Sequence, residues 1–588
     1  MVGDTVVLDV ADSSESSDVA FAWTQTGGPA SQLTDTSGRQ LTFIPRQDGD
    51  YEFTATITDD TGTSRTVIVR VWVLPAPTVN PTPPAPEIPG PPEAATELRA
   101  LAGPDQSLIR GESVTLIGSA TGGTKPYQYV WTPSDSLDDS TKGQPVSSPS
   151  TTTEYTLTVT DAAGARATDS VVVTVVTPVS GVYWSDAVWT AAESPYRLTG
   201  DVQIPAGVTL TIEPGVEVQY LDDTQLYVRG TVVANGAPPK PILFTGAYPA
   251  GVANATFIRF EGANLSDSQL SHFVMKNAVK GLSVGQEPSF AQAPRNTGSL
   301  VVAHARFEGT TFSTVGYDTG ARATLTDCTF VDGTIGPWGD DCRSEPVDFI
   351  GCTITNCTLY AASAKGVTLT GCALTDTLIV ITCQADLRIA DSVLDQCAIQ
   401  GRDEADDFLS SVAVQRCLCT NVGLSCFVSD VSVSDSTFQY DSAFAPVYLP
   451  WGRGSSPTEA KLSVRTAAIL YTTIAGDGTG AAIHARYNGY DGAFVVSHST
   501  IRRFEVGVIV NAGPGLCRIS DSNLVSNTQY AVDHRQARDL EAVNNYWGTA
   551  EAASIPLAIR DYFDDITRGR VNFAPFSPTP LADAGPRP

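Results

Sequence analysis

Two short runs of this sequence concentrate carboxylates beside an arginine. GDDCRSEPVD places Asp340, Asp341, Glu345 and Asp348 around Arg343, and GRDEADD places Asp403, Glu404, Asp406 and Asp407 after Arg402. Converging carboxylates can share general acid and base work on a glycosidic bond. They can also hold a hard cation such as Ca²⁺, which takes several oxygen ligands. Asp340, Asp341, Asp403, Glu404, Asp406 and Asp407 are therefore candidate Ca²⁺ ligands, and a structural Ca²⁺ is the one cofactor they suggest. The plainer reading, a solvated acidic turn, stands first, Ca²⁺ second and catalysis last, so no catalytic residue is assigned.

Other chemistry-bearing residues are sparser. His272, His304 and His498 occupy one place in LSHFVM, VAHARF and VSHSTI. A zinc site wants three or four converging ligands, so exposed turn histidines are the better reading. Trp451, Tyr487 and Tyr490 fall in the stretch 440–490. They are candidates for a sugar-stacking platform, with a local mini-core as the plainer alternative. Sequons at Asn254, Asn264 and Asn356 are short enough to arise by chance. No G-x-S-x-G, P-loop or H-E-x-x-H occurs. The 11 cysteines all lie between Cys328 and Cys517. An odd number forbids a complete set of internal disulfides, and the spacings fit no zinc pattern.

The composition narrows the partners. With 64 acidic against 36 basic residues the net charge is −28, which excludes nucleic acid and anionic membrane as natural partners. No apolar run is long enough to insert in a membrane. No signal peptide is read, because MVGDTVVLD is already strand-like and Met1 reads as an added start residue. The acidic, Thr/Ser/Gly-rich, lysine-poor composition points to an extracellular or cell-surface location.

Strand periodicity must position these groups. Residues 1–74 alternate in TVVLDV, VAFAWTQ, RQLTFIP, YEFTATITDD and RTVIVRVWVL, with turn residues between the runs. Residues 98–177 repeat the pattern in SVTLIGSA, YQYVWTP, TEYTLTVTDAAG and DSVVVTVV. Both segments read as β-sandwiches without cysteine. They share Trp23 and Trp131 on an early strand, and a Tyr-x-(Phe/Leu)-Thr phrase followed by TD and a glycine turn, at Tyr51 and Tyr155. In this they resemble tandem PKD-type immunoglobulin-like domains, which implies fold and surface exposure more than activity. Between them, 75–97 is a linker whose PAPTVNPTPPAPEIPGPP favours a semi-rigid polyproline spacer.

From residue 181 to 581 the texture changes. Short apolar strands are broken by Gly and Pro, and Leu210/Ile212, Leu226/Val228 and Ile242/Phe244 recur 16 apart. Then one phrase returns: TLTDCTF, DFIGCTI, TLTGCAL, RIADSVL, AVQRCLC, SVSDSTF, VVSHSTI and RISDSNL, with AILYTTI as a weaker copy. Its small residue is Cys328, Cys352, Cys372, Ser392, Cys417, Ser436, Ser499 and Ser522. The first six are 24, 20, 20, 25 and 19 residues apart and the last two 23. A period of this size without helical spacing predicts a parallel β-helix. Coils stacked about 4.8 Å apart would make that position an interior ladder of small side chains. This accounts for the cysteines without disulfides or metals. The two acidic runs then fall in turns about three coils, roughly 14 Å, apart, too far for one carboxylate pair.

The ends of this region carry a resemblance. SPYRLTGDVQIPAGVTLTIEPGVEVQY is similar to the opening coils of right-handed parallel β-helix proteins of bacterial surfaces. AVNNYWGT, with Asn544, Asn545, Tyr546, Trp547 and Gly548, and then Asp561, Gly569 and Pro575, is similar to their closing segment. The resemblance implies an all-β chain of two immunoglobulin-like sandwiches and a right-handed parallel β-helix solenoid of roughly 12–15 coils. β-Helices of this kind are often polysaccharide lyases or hydrolases.

The tail 582–588, ADAGPRP, resembles the opening phrase LAGPDQSLI of the second sandwich, whose counterpart is missing before Val6, Val7 and Leu8. Three readings stay open. The unit repeats within a longer chain; or Ala582, Asp583, Ala584, Gly585 and Pro586 complete the first sandwich of the next copy beside Val6–Leu8; or the likeness is accidental. The expected function is an extracellular structural or adhesive spacer, not an enzyme, in a repeating or end-to-end fibre. Its partners would be further copies of itself and surface polysaccharide. The alternative is a carbohydrate-binding or polysaccharide-degrading β-helix.

Overall fold

The computed structural model describes all residues except 1–5, 10–19, 30–32, 35–39, 48, 59–63, 74–96, 222–223, 247–255, 286–295, 316–321, 338–345, 362–365, 382–384, 402–409, 441–459, 487–492, 512–515 and 588. The chain divides into Met1–Ala94 and Ala95–Pro588. No described helix is long and apolar enough to cross a membrane.

In the first unit, alternation decides the faces. Ala20–Gly27, Gly49–Thr58 and Ser64–Val73 form one antiparallel sheet, and Val6–Asp9, Gln40–Phe43 and Leu33–Thr34 the other. Every second residue of Tyr51, Phe53 and Ala55 is buried against Trp23, Leu41 and Phe43. Phe43 and Phe53 meet with ring centres 4.6 Å apart, the tilted packing aromatic pairs favour.

Residues 98–177 repeat this plan. Gln128–Thr132, Thr153–Thr160 and the start of Arg166–Val182 pair antiparallel around buried Trp131, Tyr155, Leu157 and Val159. The TD-and-glycine turn has a clear physical role. The Asp161 carboxylate accepts the Thr124, Ala163 and Ala165 N–H groups, and these bonds, Thr124 first, hold its pKa below the ordinary value. The opening phrase supplies Gln106–Ile109, which pairs parallel with Val173–Val176. Among the described residues of the first unit, Ser64–Val73 pairs with Gly49–Thr58 alone.

No linker separates the second sandwich from the repeating region after it. The 17-residue strand Arg166–Val182 is antiparallel to Thr153–Thr160 in its first half. In its second half, Thr177–Val182 runs parallel to Tyr196–Ile204 in the first coils. From there a parallel β-solenoid of about 12 turns extends to the C-terminal cap.

Three strands make a coil. Val347–Ile350, Thr353–Thr355 and Thr358–Ala361 stack in register on Val367–Thr370, Ala373–Thr375 and Leu378–Ile381. The shortest coils step by 20 residues, as in Val347↔Val367↔Leu387, or by 19, as in Val412↔Val431. Longer steps take up extra residues after the third strand, as at 338–345 and 402–409, or between the second and third, as at 247–255 and 441–459. The recurrence of 16 is not the coil step: Leu210 stacks on Val232 and Val218 on Phe244. Those similar pairs lie on different sheets.

The small residues form the predicted interior ladder. Cys328, Cys352, Cys372, Ser392, Cys417, Ser436, Thr472, Ser499 and Ser522 are all buried, and Asn545 is the last rung. Each rung hydroxyl or thiol has two tasks. Ser392 Oγ accepts the Cys372 N–H, Ser436 Oγ the Cys417 N–H, Ser499 Oγ the Thr472 N–H and Ser522 Oγ the Ser499 N–H. It also donates to the carbonyl two residues back, as Ser392 does to Ala390 and Cys417 to Gln415. At this corner the backbone N–H turns inward, and the next coil's side chain satisfies it. A second interior ladder, Cys357, Thr377, Cys397 and Val422, lines the following corner. Cys328, Cys352, Cys357, Cys372, Cys397, Cys417, Cys419 and Cys517 are free and buried.

Candidate functional site

The residue before each rung must reverse the chain in one step, and it adopts left-handed backbone. His272, His304, Asp327, Asp391, Arg416, Asp435, Tyr471, His498, Asp521 and Asn544 all have φ between 49° and 59°. Asp, Asn and His visit this region at smaller cost, whereas Arg and Tyr are strained there unless their side chains gain contacts. Here they do, by stacking coil on coil outside the solenoid. Arg416 makes a two-point ion pair with Asp391, at 2.5 and 2.7 Å. The Tyr471 and His498 rings stack 4.8 Å apart, and His272 and His304 lie 4.6 Å apart. The corner thus carries an external ladder of polar and aromatic groups parallel to the internal one.

The terminal segment lies on that external ladder. Asn523 donates to the Leu581 carbonyl at 2.9 Å and accepts the Leu581 N–H at 2.8 Å, reproducing with an amide side chain what a neighbouring strand would offer. Thr500 Oγ1 donates to the Ala584 carbonyl at 2.6 Å, and the Gly585 N–H donates to the His498 carbonyl at 2.9 Å. A Cβ on Gly585 would stand 3.2 Å from Thr473 Oγ1, so the close approach favours glycine. Arg587 donates from Nε and Nη2 to the two Asp435 oxygens at 2.6 and 2.8 Å, with its guanidinium 4.1 Å from the Tyr471 ring centre. Arg587 beside it, opposed in part by burial, holds the Asp435 carboxyl below the ordinary value. The seat runs from Asn523 back to Asp435, across four consecutive coils.

The next corner holds a shallow polar cleft of about 350 Å³. Gly309 and Gly333 leave it open, Thr311, Thr334 and Thr358 stack in register along it, and Asn356 donates to Asp332 at 2.6 Å beside it. At the C-terminal cap a different group closes the rod. Buried Asp533 binds Arg568 at 2.6 Å and Arg535 at 2.7 Å. Burial lowers the pKa of His534, whose Nε2–H donates to the Arg538 carbonyl at 2.6 Å. No described group of His, Cys, Asp and Glu has the makings of a metal site.

The sequence-derived candidates separate accordingly. Asp340, Asp341, Asp403, Glu404, Asp406 and Asp407, and with them Trp451, Tyr487 and Tyr490, lie outside the described residues. His272, His304 and His498 all stand on the external ladder, with His304 exposed and the other two half-buried. Ala584 and Gly585 are seated on the solenoid of their own chain, and Val6–Asp9 pairs with Gln40–Phe43. Sequence reasoning missed Asn523, Thr500, Asp435, Tyr471 and Arg587 as one site. Asp435, Tyr471, Thr500 and Asn523 share one signal, a place beside a repeated rung, but nothing in ADAGPRP names the partners of Arg587.

Residues 2–73 match a family of PKD domains. The search of curated proteins finds no match. Among solved structures, the PKD domain from KIAA 1837 protein is 28% identical, over 13% of this chain and 79% of its own, with a TM-score of 0.12. The fibronectin(III)-like modules of Clostridium thermocellum CbhA are 13% identical over 30% of this chain and 86% of theirs, at 0.13. The D00-D0 domain of intimin is 12% identical over 29% and 92%, at 0.13. The chain therefore joins an N-terminal PKD domain, a second immunoglobulin-like sandwich and a parallel β-helix.

Proposed function

We propose that this chain is an extracellular structural or adhesive module, a stiff spacer that joins further copies of itself in an end-to-end or repeating surface fibre. The observation that carries this reading is the distribution of exposed apolar side chains. The four most exposed large ones among the described residues are Trp184 at 82%, Leu557 and Ile566 at 80% and Phe563 at 79%. Trp184 belongs to the first coil; Leu557, Phe563 and Ile566 belong to the C-terminal cap. Large apolar groups left in water favour association. Unlike patches at opposite ends of a rod make a heterologous contact that builds filaments. Parallel strand stacking resists bending and extension between those ends. No reaction is part of this proposal, and the acidic turns enter it as solvating or Ca²⁺-binding loops.

The test is light scattering and negative-stain microscopy of the full chain against Phe563→Asp and Trp184→Ser variants. Concentration-dependent filaments that shorten or vanish in either variant support the reading. Monomers at every concentration in the parent chain overturn it. A second reading, binding of a surface polysaccharide, is favoured by the cleft at Asp332 and Asn356, whose hydroxyl and amide edges suit sugar hydroxyls. Retention on a polysaccharide column that Asn356→Leu removes would support it.

A further inference from the structure

We propose that the external ladder between Asn523 and Asp435 is a peptide-recognition site, and that it takes the Leu581–Arg587 segment of a second copy in exchange for its own. The seat belongs to the solenoid, since each recognising group stands at or beside a left-handed corner fixed by coil stacking. Asn523 reads both the N–H and the carbonyl of Leu581, and the segment then turns, with the Ala584 N–H donating to the same Leu581 carbonyl at 3.4 Å. Gly585 is selected by its close approach to Thr473, and Arg587 by the two oxygens of the Asp435 carboxylate and the Tyr471 face together.

The segment is attached by side-chain and single backbone bonds and forms no strand with the coils beneath it. It can therefore leave without opening a coil. In cis it holds the seat through high effective concentration. An identical segment from a neighbour makes identical contacts, which is the condition for an exchange between copies. Only this choice of partner rests on the fibre reading; the recognition itself does not.

The test uses the full chain with Arg587→Ala, which weakens the resident segment, and a fluorescent peptide PLADAGPRP. Its anisotropy should rise saturably with this chain. It should need at least about tenfold more of a chain that also carries Asp435→Ala, and a peptide with alanine at the arginine position should bind as weakly. No saturation up to about 1 mM, or equal binding by the chains with and without Asp435→Ala, overturns the proposal. An independent readout needs no variant. In the parent chain the Leu581 and Gly585 amides should exchange slowly with deuterium, and random-coil exchange at both would overturn it. End variants that abolish filaments while the peptide still binds would separate this site from the fibre contact.

Discussion

Asp435 and Arg587, 152 positions apart in the chain, meet through two bonds of 2.6 and 2.8 Å. Because Arg587 depresses the Asp435 pKa, the ion pair contributes fully above the ordinary carboxylate value of about 3.9 and is lost as pH falls through the lowered one. Protection of the Gly585 amide should be flat from neutral pH to about 5 and fall only in stronger acid. Asp435→Asn should remove the acid step and lower protection at every pH. Hydrogen exchange against pH checks both.

The interior ladder predicts an asymmetry between two substitutions at one rung. Ser392→Ala removes the acceptor of the buried Cys372 N–H and should destabilise the solenoid by about 1–3 kcal/mol. Ser392→Cys keeps a small polar group of the kind found at Cys372 and Cys417, and should cost less than about 1 kcal/mol. Denaturant midpoints of the two variants compare them directly.

The Cys352, Cys397 and Cys419 thiols should be silent in the folded chain. Contact with Cys328 pushes Cys352 up to about 12, and burial pushes Cys397 to about 12 and raises Cys419. Only thiolates react with alkylating agents, so these sites should stay unmodified at pH 8 and label within minutes after denaturation. Peptide mass spectrometry reads each site, and native labelling at Cys352 would contradict the ladder.

Two glycines on the external ladder should both accept asparagine. Both Gly351 and Gly371 have left-handed backbone, at φ +65° and +64°. A Cβ at Gly351 would stand 2.5 Å from Asp327 Oδ1, whereas at Gly371 the nearest neighbour is 4.0 Å away. Asparagine tolerates this backbone. Gly371→Asn should therefore be near neutral, and Gly351→Asn should cost no more than about 0.5 kcal/mol in thermal or denaturant unfolding, because the exposed Asp327 carboxylate can swing aside.

Local repetition made part of this legible in the sequence. Cys328, Cys352, Cys372 and Ser392 revealed the ladder because stacking forces one size of side chain into one register. Tyr51 and Tyr155 revealed the sandwiches because a buried strand position recurs with its turn. The regular 16-residue recurrence near Leu210 and Leu226 carried a different meaning, since those residues point inward from different sheets. The seat of Arg587 was invisible because it depends on which side of the rod the closing segment descends, a property of the assembled coils rather than of any phrase. The candidates at Trp451 and Asp403 came from composition alone, and insertions between the strands of a coil carry no stacking register to place them.

The strand Arg166–Val182 gives the solenoid a seed. A chain made from its N-terminus completes the second sandwich before any coil exists, and that sandwich projects a finished edge, Thr177–Val182, on which the first coil is templated. Winding can propagate from that edge, each turn copying the register of the last. Disruption of the Val171–Val175 core should accordingly harm not one domain but the yield of the entire rod.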